Sequence, residues 1–181
     1  VRKSKTIRKI TPEMKNKLNS IIFYAVIILA AGWGIMWYMR KTIVPAMKFQ
    51  TSELQLSGSN TKTTINNFKG NVVIVSFFQT WCGPCIQEMY VFDELLASVN
   101  SSDFKILCIS DEDTNRINML QSRFTMGKIM FAYSAKSLSS LGIHVYPTTY
   151  LLNKKGEVIQ SKLEGYNWAL EKETITKLLA E

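Results

Sequence analysis

Between residues 18 and 39 the chain carries no charged side chain, and Ile, Ala, Trp, Tyr and Met dominate. Wound as a helix at ~1.5 Å per residue, these 22 residues reach about 33 Å, enough for a hydrocarbon core of about 30 Å. Trp33, Trp37 and Tyr38 gather toward the C-terminal end, where aromatic rings favour a membrane–water interface. A cleaved signal peptide has a shorter apolar core, ~7–15 residues, ending at small side chains. Here the run stops at Trp37-Tyr38-Met39-Arg40-Lys41. The pattern predicts a single transmembrane helix.

Past residue 48 the rhythm changes. Residues 49–56 alternate weakly and predict a strand, paired with 62–65 across the turn Ser57-Gly58-Ser59-Asn60. Residues 72–78 form a near-continuous apolar run rich in β-branched side chains, the mark of a strand buried on both faces. Cys85, Met89, Phe92, Leu96 and Val99 then recur at helical spacing. Another buried strand is predicted over 104–109, and Asp113-Thr114 predicts a capped helix through Phe124. A short strand at 129–133 precedes a weak helix at 137–141, stopped by Gly142. Strands at 148–152 and 157–163 flank Asn153-Lys154-Lys155-Gly156, a hairpin signal, and Asn167 predicts the cap of a final helix through Leu179. Strands alternating with helices and closing on a hairpin predict an α/β domain, with a central sheet covered by helices.

Charge sharpens the division. The net charge of +8 invites a nucleic-acid reading, but residues 1–41 hold nine Lys/Arg against Glu13 alone, which is 9 − 1 = +8. Residues 42–181 hold thirteen basic and thirteen acidic side chains, so the body is formally neutral and no nucleic-acid partner is expected. Seven positive residues precede the apolar span and three (Arg40, Lys41, Lys48) follow closely, which places the N-terminus in the cytoplasm and the body outside it. The predicted organisation is a basic cytoplasmic tail (1–17), a transmembrane anchor (18–39), a tether (40–48) containing Pro45, and one domain (49–181). About 130 residues suit a single core.

Two of the three cysteines, Cys82 and Cys85, sit where the buried strand 72–78 gives way to the amphipathic helix. A Cys-x-x-Cys pair opening a helix suits thiol–disulfide exchange. Unsatisfied N–H groups and the positive end of the helix dipole stabilise a thiolate on the first cysteine, bringing a thiol that ordinarily titrates near ~8.5 into the range of about 3.5–7.5. The second cysteine, one turn on, can attack a mixed disulfide formed by the first. Cys82 is therefore the expected nucleophile and Cys85 the resolving thiol. Pro84 suits the first helical turn, where its missing N–H costs nothing. Half of a zinc site is the competing reading, but only Cys108 and His144 remain as further ligands, neither in a paired spacing. Cys108, inside an apolar strand, is expected to be a buried side chain, and His144 a loop histidine. Glu88, one turn past Cys85, could move the proton that exchange requires.

The run Trp81-Cys82-Gly83-Pro84-Cys85 has the residues of the active site of thioredoxins proper, and Tyr146-Pro147-Thr148-Thr149 looks like the cis-proline loop of the thioredoxin superfamily. The separation of 62 residues from Cys85 to Pro147 exceeds that of a minimal thioredoxin. It resembles the membrane-anchored TlpA-like branch, with the ResA and DsbE/CcmG proteins, which carries an extra strand–helix insert. Residues 109–113 (Ile-Ser-Asp-Glu-Asp) and 152–159 match as well, and the resemblance covers about 49–181. It implies a thioredoxin-like fold, a central mixed sheet flanked by helices. It also implies a redox pair Cys82–Cys85 with no further cofactor, a catalytic Glu88, and a client groove beside Trp81, Gly83, Pro84, Tyr146, Pro147 and Thr148. Ser76 stands where thioredoxins proper bury an Asp, and Tyr90 stands where the branch commonly has a Pro.

The expected activity is that of a membrane-tethered thiol–disulfide oxidoreductase on the periplasmic side of the cell membrane, reducing the disulfides of client proteins. Thiols outside the cytoplasm tend to be oxidised, so a reductant there needs electrons from the membrane. By resemblance the donor is of the DsbD/CcdA type and the client is apocytochrome c, whose Cys-x-x-Cys-His must be reduced before haem attachment. A Sco-like copper metallochaperone shares the fold and anchor but needs Cys-x-x-x-Cys and a placed His. A peroxiredoxin-like peroxidase needs a peroxidatic cysteine after a Pro/Thr motif. Neither pattern is here.

Overall fold

The computed structural model describes residues 12–43, 50–59, 61–124, 129–163 and 167–181, with side chains of the first helix described at Lys17 and over 19–35. The chain divides into two compact units, Val1–Ile43 and Val44–Glu181. In the first, helix α1 (Pro12–Ile43) runs unbroken for 32 residues. Its apolar side chains stand exposed, Leu29 at 73% and Trp33 at 79%. Among the described residues no helix is long and apolar enough to cross a membrane, so the spanning role expected for 18–39 rests on the sequence. Most of the basic tail and residues 44–48 of the tether lie outside the described residues.

The second unit holds β1 (Leu54–Leu56), β2 (Lys62–Thr63), β3 (Val72–Phe77), α2 (Gly83–Val99), β4 (Phe104–Ser110), α3 (Thr114–Gln121), β5 (Met130–Ser134), β6 (Thr148–Leu152), β7 (Val158–Leu163) and α4 (Lys172–Ala180). The strands form one mixed sheet in the order β2-β1-β5-β4-β3-β6-β7. β3, β4 and β5 are parallel neighbours joined through α2 and α3, whereas β6 runs antiparallel to β3 and pairs with β7. This is the expected α/β architecture.

Burial on both faces explains the apolar run of β3. Val72, Ile74 and Phe78 pack with Phe92 of α2, Ile117 of α3 and Ile175 of α4. Val73, Val75 and Phe77 face the other way, against Leu107, Ile109 and Tyr150, under Ile65, Leu138 and Ile143. The three helices described in this unit thus cover one face. Short segments close the other.

Local differences from the sequence expectation have local causes. The first strand begins at Leu54 rather than residue 49, because Gln50 turns its carbonyl to the N–H of Asn66 (3.3 Å). The second ends at Thr63, and Ile65–Phe68 wind into a 3-10 turn whose Asn67 N–H reaches the Thr64 carbonyl (3.0 Å). On α2 the buried stripe passes through Leu95, leaving Leu96 and Val99 half-buried. The helix after Asp113 stops at Gln121, and residues 139–141 form a single 3-10 turn closed by Gly142 at φ 84°. Asn167 caps as expected, accepting from the Ala169 N–H (3.1 Å), but its first turn, Trp168–Glu171, is 3-10 before α4 begins.

Candidate active site

β3 delivers the chain to the cysteines, and α2 starts on them. Cys82 is the N-cap of α2, with extended backbone, and its Sγ accepts the Cys85 N–H at 3.2 Å, satisfying one free donor of the first turn. Pro84 occupies that same turn. The two cysteines are joined in a disulfide, with Cα atoms 5.3 Å apart. Both are buried, Cys82 at 5% exposure and Cys85 at 1%, so the cap residue keeps slightly more contact with solvent.

Trp81, Gly83 and Pro84 are exposed around the pair, and the Trp81 ring meets Tyr146 edge-on at 6.2 Å. This contact brings the two motifs together although 65 residues separate them in the chain (146 − 81). The Tyr146–Pro147 peptide is cis, as the motif predicts. Tyr146 is half-buried and Pro147 buried. Thr148 differs from its expected place in the client groove: its side chain is buried, its hydroxyl donates to the Val145 carbonyl (2.6 Å), and its residue is flanked by Phe77 and Leu163 in the sheet. It shapes the loop from within. His144 is exposed in the same loop.

Glu88 turns inward from α2. Its Oε2 accepts from Ser76 Oγ (3.1 Å) and Thr149 Oγ1 (3.0 Å), and its Oε1 accepts from the Trp168 indole N–H (2.7 Å). Burial pushes its carboxyl above the ordinary range, and the hydrogen bonds from Thr149, Ser76 and Trp168 oppose that rise. Cys108 sits opposite Ser76 in the β3–β4 register and is wholly buried. Burial pushes its thiol well up, and the charge of Glu88 adds to the effect. Tyr90, in the place of the usual proline, leans on Phe124 with ring centroids 5.1 Å apart, and α2 runs through it without a break.

A second polar group holds the turn ahead of Cys82. Glu112 accepts from the Thr80 N–H and from Thr80 Oγ1 (2.9 Å). Asp111 takes Gln79 Nε2 on one oxygen and the Leu138 N–H on the other, both at 2.7 Å. The Cys82 N–H closes the turn onto the Gln79 carbonyl (3.0 Å). A disulfide held at a helix start, with exposed residues around it and a buried carboxyl one turn along the helix, has the parts of a two-thiol exchange site.

The Redoxin family profile matches residues 43–179. The chain belongs to the Redoxin family. Among characterised relatives, this Redoxin-family protein is 26% identical over 118 residues to the thiol-disulfide oxidoreductase ResA of Bacillus thuringiensis, covering 58% of this chain and 66% of that protein. The ResA of Oceanobacillus iheyensis is 22% identical over 180 residues, covering 86% and 92%. The match thus falls just short of two thirds of the Bacillus protein's length. Among solved structures, a Chlorobium tepidum protein described as a DsbE-type thiol:disulfide interchange protein aligns with a TM-score of 0.57 at 18% identity, covering 72% of this chain and 93% of that one. Peroxiredoxin Q of Xanthomonas campestris gives the same TM-score at 19% identity, over 73% and 92%. These two show a shared thioredoxin-like fold.

Three residues of the candidate site are not legible as such in the sequence. Trp168 lies 80 residues from Glu88 and reads in the sequence only as an apolar position after a cap. Thr149 stands in the cis-proline motif without any sign that it would face a carboxylate. Glu112 belongs to a matching segment that carries no spacing signal of its own; only the fold brings it to Thr80.

Proposed function

We propose that this Redoxin-family protein is a membrane-tethered, extracytoplasmic thiol–disulfide oxidoreductase that reduces disulfides of client proteins. The observation that carries the reading is the Cys82–Cys85 disulfide at the start of α2 with Glu88 buried one turn beyond it. The reduced pair acts in two steps. The Cys82 thiolate attacks a client disulfide, releasing one client thiolate and leaving a mixed disulfide. Cys85 gives its proton to Glu88, attacks Cys82 Sγ, and releases the second client thiolate as the Cys82–Cys85 bond forms. Trp81, Gly83, Pro84, Tyr146 and Pro147 form the rim on which the client lies.

The anchor is supported by the charge-free stretch 18–39, which falls inside the continuous helix α1, and by the excess of positive charge before it. Re-reduction outside the cytoplasm calls for a membrane donor of the DsbD/CcdA type, and apocytochrome c is the client we favour. The test is reductase turnover by the full chain in detergent, with reduced donor and a disulfide-bonded apocytochrome peptide. Turnover abolished by Cys82→Ser supports the reading. Failure to reduce any protein disulfide, with the cysteines intact, would sink it.

A further inference from the structure

We infer that Trp168 is a positioning residue for this exchange: its indole N–H fixes Glu88 Oε1 as a permanent acceptor, so that the mobile proton is carried on Oε2, between Ser76 and Thr149. The inference rests on the proposed proton-transfer role of Glu88 and adds which oxygen works and what selects it.

The indole N–H can only donate. Trp168 is fully buried, and its N–H lies 2.7 Å from Oε1. A proton on Oε1 would find no acceptor in the indole N–H and would itself be left buried and unpaired. The surroundings of Oε2 are different in kind. Ser76 Oγ and Thr149 Oγ1 lie 3.1 and 3.0 Å from it and 2.9 Å from each other. Hydroxyls both donate and accept, and they rotate. With Glu88 ionised, both can donate to Oε2. With Glu88 protonated, Oε2–H donates to Thr149, Thr149 turns its hydrogen to Ser76, and Ser76 still donates to Oε2. Each hydrogen keeps an acceptor in both states. The proton arrives from Cys85 S–H as that sulfur becomes the attacking thiolate.

Other titratable groups around Glu88 do not compete for the part. α2 itself supplies Cys85, and β4 supplies Cys108, whose burial favours the neutral thiol. Among the described residues, β3 and β6 bring the hydroxyls of Ser76 and Thr149 to it. In the turn that carries Trp168, Glu171 takes the amide of Gln160 at 2.9 Å.

The test uses the full chain in detergent. Trp168→Phe keeps a ring to pack on Phe92, whose centroid lies 6.3 Å from that of Trp168, and removes the donor. Two readouts are followed: the pH–rate profile of exchange and the infrared C=O band of protonated Glu88, assigned by its loss in Glu88→Gln. In Trp168→Phe the band should move to higher frequency, and the inflection of the profile should rise by about one pH unit. In Thr149→Val the inflection should rise while the band stays, because the carbonyl oxygen is still held by Trp168. A folded Trp168→Phe with neither change overturns the inference. So does a Thr149→Val band that shifts, which would put the carbonyl on Oε2. If Glu88→Gln itself leaves the profile unchanged, the proton-transfer reading of Glu88 falls first.

Discussion

Ser76 Oγ lies 3.1 Å from Glu88 Oε2, so a carboxylate sits over β3 although the strand supplies none of its own. Thioredoxins proper resemble this arrangement from the opposite side, with an acid on the strand at the position of Ser76. Here α2 reaches down to the same place. The acid then shares a helix with Cys82 and Cys85, so its distance from them is set by helical geometry and not by strand–helix packing.

The proposed order of events at sulfur follows from Cys82 capping the helix and Cys85 lying inside its first turn. Cys85→Ser should accumulate a covalent complex with client that survives denaturation and disappears on adding reductant. Cys82→Ser should trap little and be inactive. Non-reducing gels with apocytochrome peptide make the comparison. Trapping by Cys82→Ser alone would reverse the assignment.

Glu88 should leave a signature in stability as well as in rate. Its folded pKa is raised by burial, so the native state holds more protons than the unfolded chain above the unfolded value of about 4.3. Its contribution is most favourable below that value and is lost as pH rises through the folded pKa. Glu88→Gln places an amide that can still accept from Trp168 and donate to the hydroxyls. The variant should melt higher than the parent at about pH 8, with the gap closing toward about pH 4. Resolution of the mixed disulfide should slow by about 10²–10⁴-fold. A gap that does not vary with pH would contradict the raised pKa.

Cys108 should behave as core. Alkylation of the reduced native protein should label Cys82 first and reach Cys108 only in denaturant. Cys108→Ala should keep reductase activity and lose about 1–2 kcal/mol of stability, read from denaturant midpoints. Lost activity with the fold intact would give Cys108 a redox part.

The orientation of the chain is tested by fusion after Glu181. A reporter active only outside the cytoplasm should be active there. A cytoplasm-only reporter active at the same point would reverse the topology and remove the need for a membrane electron donor.

Much of the fold is legible because it is written locally. Val72 to Phe77 are all buried, and the unbroken apolar run says so directly. Asn153 and Gly156 announce their hairpin, with Asn153 Oδ1 accepting from the Lys155 and Glu157 N–H groups and Gly156 at φ 82°. Cys82 and Pro84 mark their own helix start. What resists reading is assembled from distant parts. Nothing near Trp168 says that its N–H meets a carboxylate, and nothing near Thr148 says that its hydroxyl folds back on Val145. The short turn at Ile65–Phe68 is hidden for a related reason: its one buried side chain, Ile65, is too little to set a period.

The corner after β4 ties together two segments that border the disulfide. Asp111 and Glu112 grip Gln79 and Thr80 on one side, and Asp111 also grips Leu138, where the segment leading to the cis-proline begins. The turn ahead of Cys82 and the segment leading to Pro147 are therefore held by one acidic corner. A substitution at Asp111 would therefore loosen both loops at once while leaving Cys82 and Cys85 themselves unchanged.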